Sequence, residues 1–415
     1  MKIDTLCLFV KGDPISEIYL GIKKCGFGMG KHVAVGGGVE PGELPVQAAI
    51  REIQEETSIT VSQENLEKVG RIKFDFPAKQ EWERLVHVYF VRNWQGDPQE
   101  SDEIEPHWFS VNEIPFDKMW QDGQHWLPKL LDGEKIEAHF IFNEDNESLK
   151  EFEINPAKDF LWDQIRDLPY FRGMLRAVEA EYYQEFDIPA PVYDVGCGDG
   201  HFASLAFDFK IDVGLDPWEA PIQEAPTHEA YKSLVVADGA QTPFPQDYFA
   251  SAISNSVLEH IEHIDSVLIE TGRVLRPSAP FYFCVPNERY FTELSVPPIL
   301  IRFGLKKLAV AYENWFRKIS RVHHADGPEI WRERLEQAGF ELEHAWHYFS
   351  PEAMRALEWG HYFGLPSWIG RMLTGKWILS KTKWNLALTE RYARKFTSLD
   401  HIPNGTFSFF VARKK

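Results

Sequence analysis

Residues 37–59 read GGVEPGELPVQAAIREIQEETSI. Within them Glu52, Glu55 and Glu56 are spaced i, i+3 and i+4, so on a helix the three carboxylates share one face. Like charges so placed repel one another unless a cation holds them. Hard divalent ions such as Mg²⁺ or Mn²⁺ take oxygen ligands and keep waters and substrate phosphates as the rest of their shell. Val46, Ala49, Ile50 and Ile53 supply an apolar face for the same helix, which is expected over Leu44–Glu56. The stretch therefore reads as an amphipathic helix presenting a metal site for cleaving a phosphoanhydride.

Around it, 415 residues leave room for two or three domains, and an apolar fraction of 44% supports sizeable cores. Net charge is −19 and uneven: residues 1–155 carry 16 Lys+Arg against 29 Asp+Glu, or −13, leaving −6 for the remainder. That balance argues against binding to duplex DNA or RNA, which needs a basic footprint. Cys7, Cys25, Cys197 and Cys284 lie far apart with no CxxC pair, which suits free thiols in a reducing cytoplasm. The N-terminus, MKIDTLCLFVKGD, is too short and too acidic for a signal peptide. No apolar run reaches the ~18 residues of a membrane span. Ser295–Ala311 comes nearest, interrupted by Arg302, Lys306 and Lys307.

The first region reads as strands around one main helix. Asp4–Val10 and Glu17–Lys23 are apolar runs split by the turn signal Gly12-Asp13-Pro14. Ile72–Phe76 and Leu85–Arg92 read as strands, Leu127–Leu131 as a helix, and His139–Phe142 and Leu149–Ile154 as closing strands. Asn155-Pro156 marks a break, dividing the chain into domains 1–155 and 156–415. The second begins with a helical lead-in over 159–186. Val192–Val195, Val213–Leu215, Leu234–Val236, Ala250–Ser254 and Phe281–Val285 then alternate with helical stretches, the pattern of a Rossmann-like doubly wound, mostly parallel sheet.

The spacing Gly37-x5-Glu43-x7-Arg51-Glu52-Ile53-x-Glu55-Glu56-x-Ser58-Ile59 matches the Nudix box. Flanking blocks narrow the resemblance: Ile22–Gly28 (IKKCGFG), Val69–Phe76 (VGRIKFDF), Glu100–Glu103 (ESDE) and Ile114–Trp120 (IPFDKMW). Over residues 4–154 the chain resembles the animal oxidised-purine nucleoside triphosphate hydrolases, the 8-oxo-dGTP diphosphatases. The resemblance implies an α/β/α sandwich with a mixed sheet and hydrolysis to monophosphate and pyrophosphate. It implies that Glu52, Glu55, Glu56 and Glu103, with the carbonyl of Gly36, bind Mg²⁺ or Mn²⁺. Glu56 or a neighbouring carboxylate would orient or deprotonate the water, Arg51 would fix a box carboxylate, and Lys23 would reach the phosphates. Phe27, Phe74, Phe76, Trp120 and Trp126 would form the base pocket, and Thr5, Val33, Gly37 and Asp122 would complete the substrate site. Three positions depart from the family. Ser58 replaces the glycine that ends the box helix in a left-handed conformation. Val33 replaces an asparagine and Gly123 an aspartate, leaving Asp122 alone of an acidic pair that reads the base edge. A missing hydrogen-bond partner changes discrimination by orders of magnitude, so a relaxed or retuned base preference is expected, toward a modified adenine.

In the second domain Val192–Val195 runs into Gly196-Cys197-Gly198-Asp199-Gly200, a strand followed by three alternate glycines. Asp216 closes the next strand, Asp238 follows the third, and Ser254-Asn255-Ser256-Val257-Leu258-Glu259-His260-Ile261 and Arg273-Val274-Leu275-Arg276-Pro277 come later. Over residues 160–350 this ordered set resembles class I S-adenosylmethionine-dependent methyltransferases of the small-molecule type. The resemblance implies that Asp194 and Gly196, Gly198 and Gly200 line the methionine and ribose end of S-adenosylmethionine. Asp216 would take the ribose hydroxyls, Asp238 would sit near the adenine amino group, and Ser254 and Asn255 would flank the methionine part. The acceptor is not readable. His260, His323 and His324 are candidate general bases, and a structural role is the plainer reading of each.

Residues 352–415 hold 11 Lys+Arg against 4 Asp+Glu, interleaved with Trp359, Trp368, Trp377 and Trp384. A helical lid whose tryptophans pack over the sheet is the expectation, with a membrane surface as the other option. Thr406–Ala412 is expected to rejoin the sheet. Taken together, the expectation is a bifunctional cytoplasmic enzyme taking a purine nucleotide and a methyl acceptor. The alternative is a methyltransferase regulated by a nucleotide-sensing, weakly active first domain.

Overall fold

The computed structural model describes residues 2–26, 28–40, 42–363, 365–399 and 401–415. It divides into two compact units, Met1–Lys158 and Asp159–Lys415.

The first unit contains β1 (Lys2–Lys11), β2 (Glu17–Lys23), β3 (His32–Val33), α1 (Pro45–Thr57), β4 (Leu66–Asp75), β5 (Arg84–Val91), β6 (Ile104–Ser110), α2 (Gly123–Leu131), β7 (Ile136–Phe142) and β8 (Leu149–Pro156). Among the described residues the strands form one sheet in the order β3-β2-β1-β5-β4-β7-β8, with β6 paired to β2. It is mixed: β1 runs parallel to β5 and β4 parallel to β7, the remaining pairs being antiparallel. Period-2 alternation along β1 sends Cys7 and Phe9 into one core with Ala49 and Ile53 of α1. Leu8 and Val10 enter the opposite core with Leu127 and Leu130 of α2. A helix therefore covers each face, and the sandwich follows.

Helix α1 begins with Pro45, whose missing N–H costs nothing in a first turn. It ends at Ser58, with φ 60° and ψ 14°, whose N–H donates to Gln54 O at 3.0 Å. Serine thus takes the left-handed cap expected of a glycine. Strands β3 and β6 leave no strand signal in the sequence: β3 is two residues long, and β6 (IEPHWFS) carries Pro106 and no clean alternation.

The second unit contains α3 (Phe160–Ile165), α4 (Tyr170–Tyr183), β9 (Val192–Val195), α5 (His201–Ala206), β10 (Ile211–Asp216), α6 (Glu219–Glu224), β11 (Tyr231–Val236), β12 (Ser251–Asn255), α7 (Ile264–Val274), β13 (Pro280–Pro286), α8 (Arg289–Thr292), α9 (Val296–Arg302), α10 (Lys306–Ser320), α11 (Pro328–Gln337), β14 (Phe340–Tyr348), α12 (Pro351–Phe363), α13 (Leu365–Thr374), α14 (Lys383–Ala393) and β15 (Phe407–Lys414). The strand order is β11-β10-β9-β12-β13-β15-β14. β9 to β13 pair in parallel, and β15 is antiparallel to both neighbours. The order reverses at β9, so a crevice opens at its carboxyl end, the place where such sheets bind ligands.

One expectation fails here. The C-terminal tryptophans do not pack over the sheet: Trp384 is 90% exposed and Trp368 49%. Both faces are already covered. Trp331 and Leu335 of α11 join Leu268 of α7 on one side, and Tyr182 and Tyr183 of α4 meet Phe409 of β15 on the other.

Candidate functional site

Helix α1 brings the box carboxylates to the sheet edge where β2 ends. Glu56 is 3% exposed. Its Oε1 accepts from Lys23 Nζ at 2.8 Å and its Oε2 from the Gly36 N–H at 2.9 Å. The same Lys23 ammonium donates to Glu103 Oε2 at 2.7 Å. Burial raises the pKa of Glu56, with Lys23 and the Gly36 N–H pulling the other way. Burial also works against the Lys23 charge, but Glu103 and Glu56 outweigh it and the pKa rises. Arg51 donates to Glu43 through Nε (3.0 Å) and Nη2 (2.9 Å), to Glu52 (2.6 Å) and to Glu55 (3.2 Å), tying three box carboxylates together.

Two glycines make close approaches. A Cβ on Gly37 would stand 2.5 Å from Glu52 Oε1, and one on Gly36 would stand 2.0 Å from Thr5 O. The Glu52 carboxylate is thus seated in space that only glycine leaves open. Among the described residues, no three His, Cys, Asp or Glu side chains form a cage that could hold an ion; Lys23 stands between Glu56 and Glu103. The oxygen chemistry nevertheless suits a hard divalent cation: Glu56 and Glu103 converge on one positive charge, at present the Lys23 ammonium, and glycine leaves room for the Glu52 carboxylate nearby.

Beside this cluster lies a cavity of about 640 Å³. Lys23, Gly36, Gly37 and Glu103 line the end nearest the carboxylates, with Thr5 and Val33 on the wall. Phe74, Phe76, Trp120, Asp122 and Trp126 line the rest. Phe76 stacks on Phe142 (centroids 4.5 Å, 8°) and Phe74 on Phe140 (5.7 Å, 22°). Trp126 Nε1 donates to Asp122 Oδ2 at 2.7 Å. Burial lifts the Asp122 pKa to about 6, against the pull of that bond. Phe27 lies outside the described residues.

In the second unit Gly196, Gly198 and Gly200 all have positive φ (86°, 55° and 77°), so the loop after β9 turns through conformations open to glycine. A Cβ on Gly198 would meet nothing within 4 Å, whereas one on Gly196 would stand 2.3 Å from Val257 Cγ1. Asp216, at the end of β10, accepts from the N–H groups of Gly198 (3.1 Å) and Trp218 (2.9 Å). Asp194 accepts from the Tyr231 hydroxyl at 2.7 Å, and burial lifts its pKa to about 7. A glycine loop with open space above it and an acid at the neighbouring strand end fits an adenosyl cofactor. Asp238 is exposed and accepts from the Ala240 N–H at 2.9 Å. Ser254 donates to Val195 O at 2.7 Å, and Asn255 donates to Glu179 at 2.8 Å. Both are turned to protein partners.

A cavity of about 330 Å³ reaches Asp199 of the glycine loop and Ser256 beyond β12, with Arg172, Arg176, Glu259 and His260 on its walls. Glu259 is buried, and burial lifts its pKa to about 8. His260 Nδ1 lies 2.9 Å from Arg321 O, and burial lowers its pKa. His324 Nε2 lies 2.9 Å from Ile261 O, and neither it nor His323 is on the cavity wall. Sequence reasoning missed Glu179, a fully buried carboxylate that accepts from Asn255, Ser256 and Tyr348. It also missed Tyr231. Both partnerships cross dozens of residues and leave no local signal.

The NUDIX domain family matches residues 20–130, and the methyltransferase domain family matches residues 193–283. The oxidized purine nucleoside triphosphate hydrolase of Danio rerio is 39% identical over 158 residues, 38% of this chain and 97% of that protein. Its Mus musculus counterpart is 36% identical over 144 residues, 35% of this chain and 90% of that protein. The malonyl-acyl-carrier-protein O-methyltransferase of Methylococcus capsulatus is 30% identical over 112 residues, 26% of this chain and 41% of that protein. The chain thus spans less than half the length of this methyltransferase relative. Through its first unit the chain belongs to the oxidized purine nucleoside triphosphate hydrolase family of NUDIX proteins, and its second unit carries a methyltransferase domain.

Proposed function

We propose that the first unit hydrolyses a purine nucleoside triphosphate to monophosphate and pyrophosphate, and that the second transfers a methyl group from S-adenosylmethionine to a small acceptor. The observation that carries the first half is the Lys23 ammonium standing between Glu56 and Glu103 at one end of an aromatic cavity of about 640 Å³. Glu52, Glu55, Glu56 and Glu103, with the Gly36 carbonyl, would hold Mg²⁺ or Mn²⁺. Bound there, such an ion neutralises phosphate charge and lowers the pKa of water. Lys23 turns its ammonium to the phosphates. Arg51 keeps Glu52 and Glu55 aligned. Glu56 takes a proton from the attacking water as the water oxygen bonds to one phosphorus of the α–β anhydride; that anhydride P–O bond breaks, its bridging oxygen keeps the electron pair, and monophosphate and pyrophosphate result. Phe74, Phe76, Trp120 and Trp126 stack on and enclose the purine. With Val33 apolar and Gly123 without a side chain, Asp122 remains to read the base edge, and the preference moves from 8-oxoguanine toward a modified adenine.

For the second half, Asp216 would hold the ribose hydroxyls, the loop Gly196–Gly200 would pass close under the cofactor, and Asp238 would face the adenine. The acceptor would enter the cavity of about 330 Å³, where alignment of the two reactants supplies most of the rate. The four free thiols suit a reducing, cytoplasmic setting.

The experiment is a pyrophosphate-release screen with Mg²⁺ over dGTP, 8-oxo-dGTP, 2-hydroxy-dATP and N6-methyl-dATP, beside Glu56→Gln. Release that Glu56→Gln lowers by about a hundredfold or more supports the reading. No release from any of the four refutes it, and a large preference for 8-oxo-dGTP over the others refutes the retuned pocket. For the second half, calorimetry should find S-adenosylmethionine bound by the intact chain and not by Asp216→Ala.

A further inference from the structure

Ser295–Ala311, the nearest this chain comes to a continuous apolar run, does not enter the core. Ile299, Ile301, Phe303, Leu305, Leu308 and Val310 are 45–73% exposed along α9 and α10, and within α10 only Ala309 and Phe316 are buried. Arg302, Lys306 and Lys307, also exposed, stand among them. Residues 296–321 hold six Lys+Arg and a single acid, Glu313, in a chain of net charge −19. The pattern repeats downstream. Leu373 is 81% exposed, Trp384 90% and Leu388 83%, and residues 365–395 hold seven Lys+Arg against Glu390, with Lys381 and Arg394 also paired to Asp167 and Asp159.

The first segment packs on α12, the helix that precedes α13 in the chain. Tyr312 of α10 donates to Glu358 at 2.7 Å, Tyr362 donates to Tyr312 at 2.6 Å, and Trp315 stacks on Tyr362 (centroids 5.9 Å, 19°). No helix of the described residues is long and apolar enough to cross a membrane. An apolar surface of this extent is rare on a protein that meets only water. Its charge identifies what covers it. A second copy meeting the first about a two-fold axis would set one basic patch against another. A bilayer of anionic lipid takes both features at once: apolar side chains enter the boundary between headgroups and acyl chains, Lys and Arg reach the phosphates, and tryptophan sits at the interface.

We propose that the surface formed by α9–α10 and α13–α14 docks this protein on an anionic lipid bilayer. Ile319 of α10 and Leu357 and His361 of α12 wall the cavity of about 330 Å³. Docking therefore brings that wall to the lipid, a consequence that, unlike docking itself, rests on the methyltransferase reading.

The test is co-sedimentation of the full chain with vesicles of phosphatidylcholine alone or mixed with phosphatidylglycerol. Binding should be about tenfold stronger to the anionic vesicles and should fall in high salt. The pairs Phe303→Asp/Leu308→Asp and Trp384→Asp/Leu388→Asp should each weaken it by about tenfold or more. Lys306→Glu/Lys307→Glu should remove the preference for anionic lipid. All these positions are exposed, so circular dichroism should show unchanged folding. Three results overturn the proposal: no sedimentation with either vesicle at low salt, sedimentation unaltered in all three variants, or a dimer in light scattering that the same aspartate pairs dissociate.

Discussion

Lys23 Nζ lies 2.8 Å from Glu56 Oε1, an ion pair joining the end of β2 to the last turn of α1. Glu56 is 3% exposed and, among the described residues, accepts otherwise from the Gly36 N–H alone. Lys23→Met would leave a buried carboxylate without its countercharge. Removing one member of such a pair costs about 3 kcal/mol, so a clear fall in Tm is expected. Mn²⁺ should recover more of that Tm in the variant than it adds to the wild type, because the ion supplies the missing positive charge. Equal Mn²⁺ shifts in both proteins would count against a cation site there.

Gly37→Ala tests the same cluster from the other side. The new Cβ would stand 2.5 Å from Glu52 Oε1, and Gly37 is not among the glycines of positive φ, so the backbone accepts alanine and the carboxylate must move. Divalent-ion affinity measured by calorimetry should fall by about tenfold or more, with little change in Tm.

The base pocket should titrate. The Asp122 pKa is lifted to about 6 by burial, so Asp122 ionises across that pH and becomes a pure acceptor above it. For a purine presenting an N–H to it, kcat/KM should rise through pH 6, and Asp122→Asn should flatten this limb. Stability runs the other way. Between pH 4 and 6 the folded chain keeps a proton that the unfolded chain has released, so stability falls as pH rises, by up to about 3 kcal/mol. Thermal melts of wild type and Asp122→Asn across that window check the sign.

Val33→Asn places an amide on the wall of the same cavity. Hydrogen-bond readout of a base edge is worth orders of magnitude in discrimination. The ratio of kcat/KM for 8-oxo-dGTP to that for N6-methyl-dATP should rise by about tenfold or more. An unchanged ratio would mean that position 33 does not face the base.

In the second unit, Gly196→Ala meets two obstacles: φ of 86°, and Val257 Cγ1 at 2.3 Å from the new Cβ. S-adenosylmethionine binding by calorimetry should be lost, while pyrophosphate release, which uses other residues, should persist.

Local periodicity was enough for some of this. A helix repeats every 3.6 residues, so the spacing of Glu52, Glu55 and Glu56 placed them on one face of α1 before any fold was known. Gly196, Gly198 and Gly200 announced a turn at a strand end for the same local reason, and Ser58 took the left-handed cap that its place in the box demanded. Strand β6 stayed hidden because Pro106 and a broken alternation hide an edge that only pairing with β2 creates.

What the amino-acid order determined by itself was the identity of neighbours along the chain: which carboxylates share a helix face, where the loop after β9 must be glycine, and which family the first unit belongs to. Tertiary structure alone decided what meets across distance. Lys23 reaches Glu56 and Glu103 from 33 and 80 positions away. Glu179 gathers Asn255, Ser256 and Tyr348, the last 169 positions away. It also decided which apolar residues stay outside. The sequence of Ser295–Ala311 is apolar enough for a core, but whether a helix is buried depends on the surfaces its sheet still has to cover, and here both faces of the sheet are taken by α4, α7 and α11.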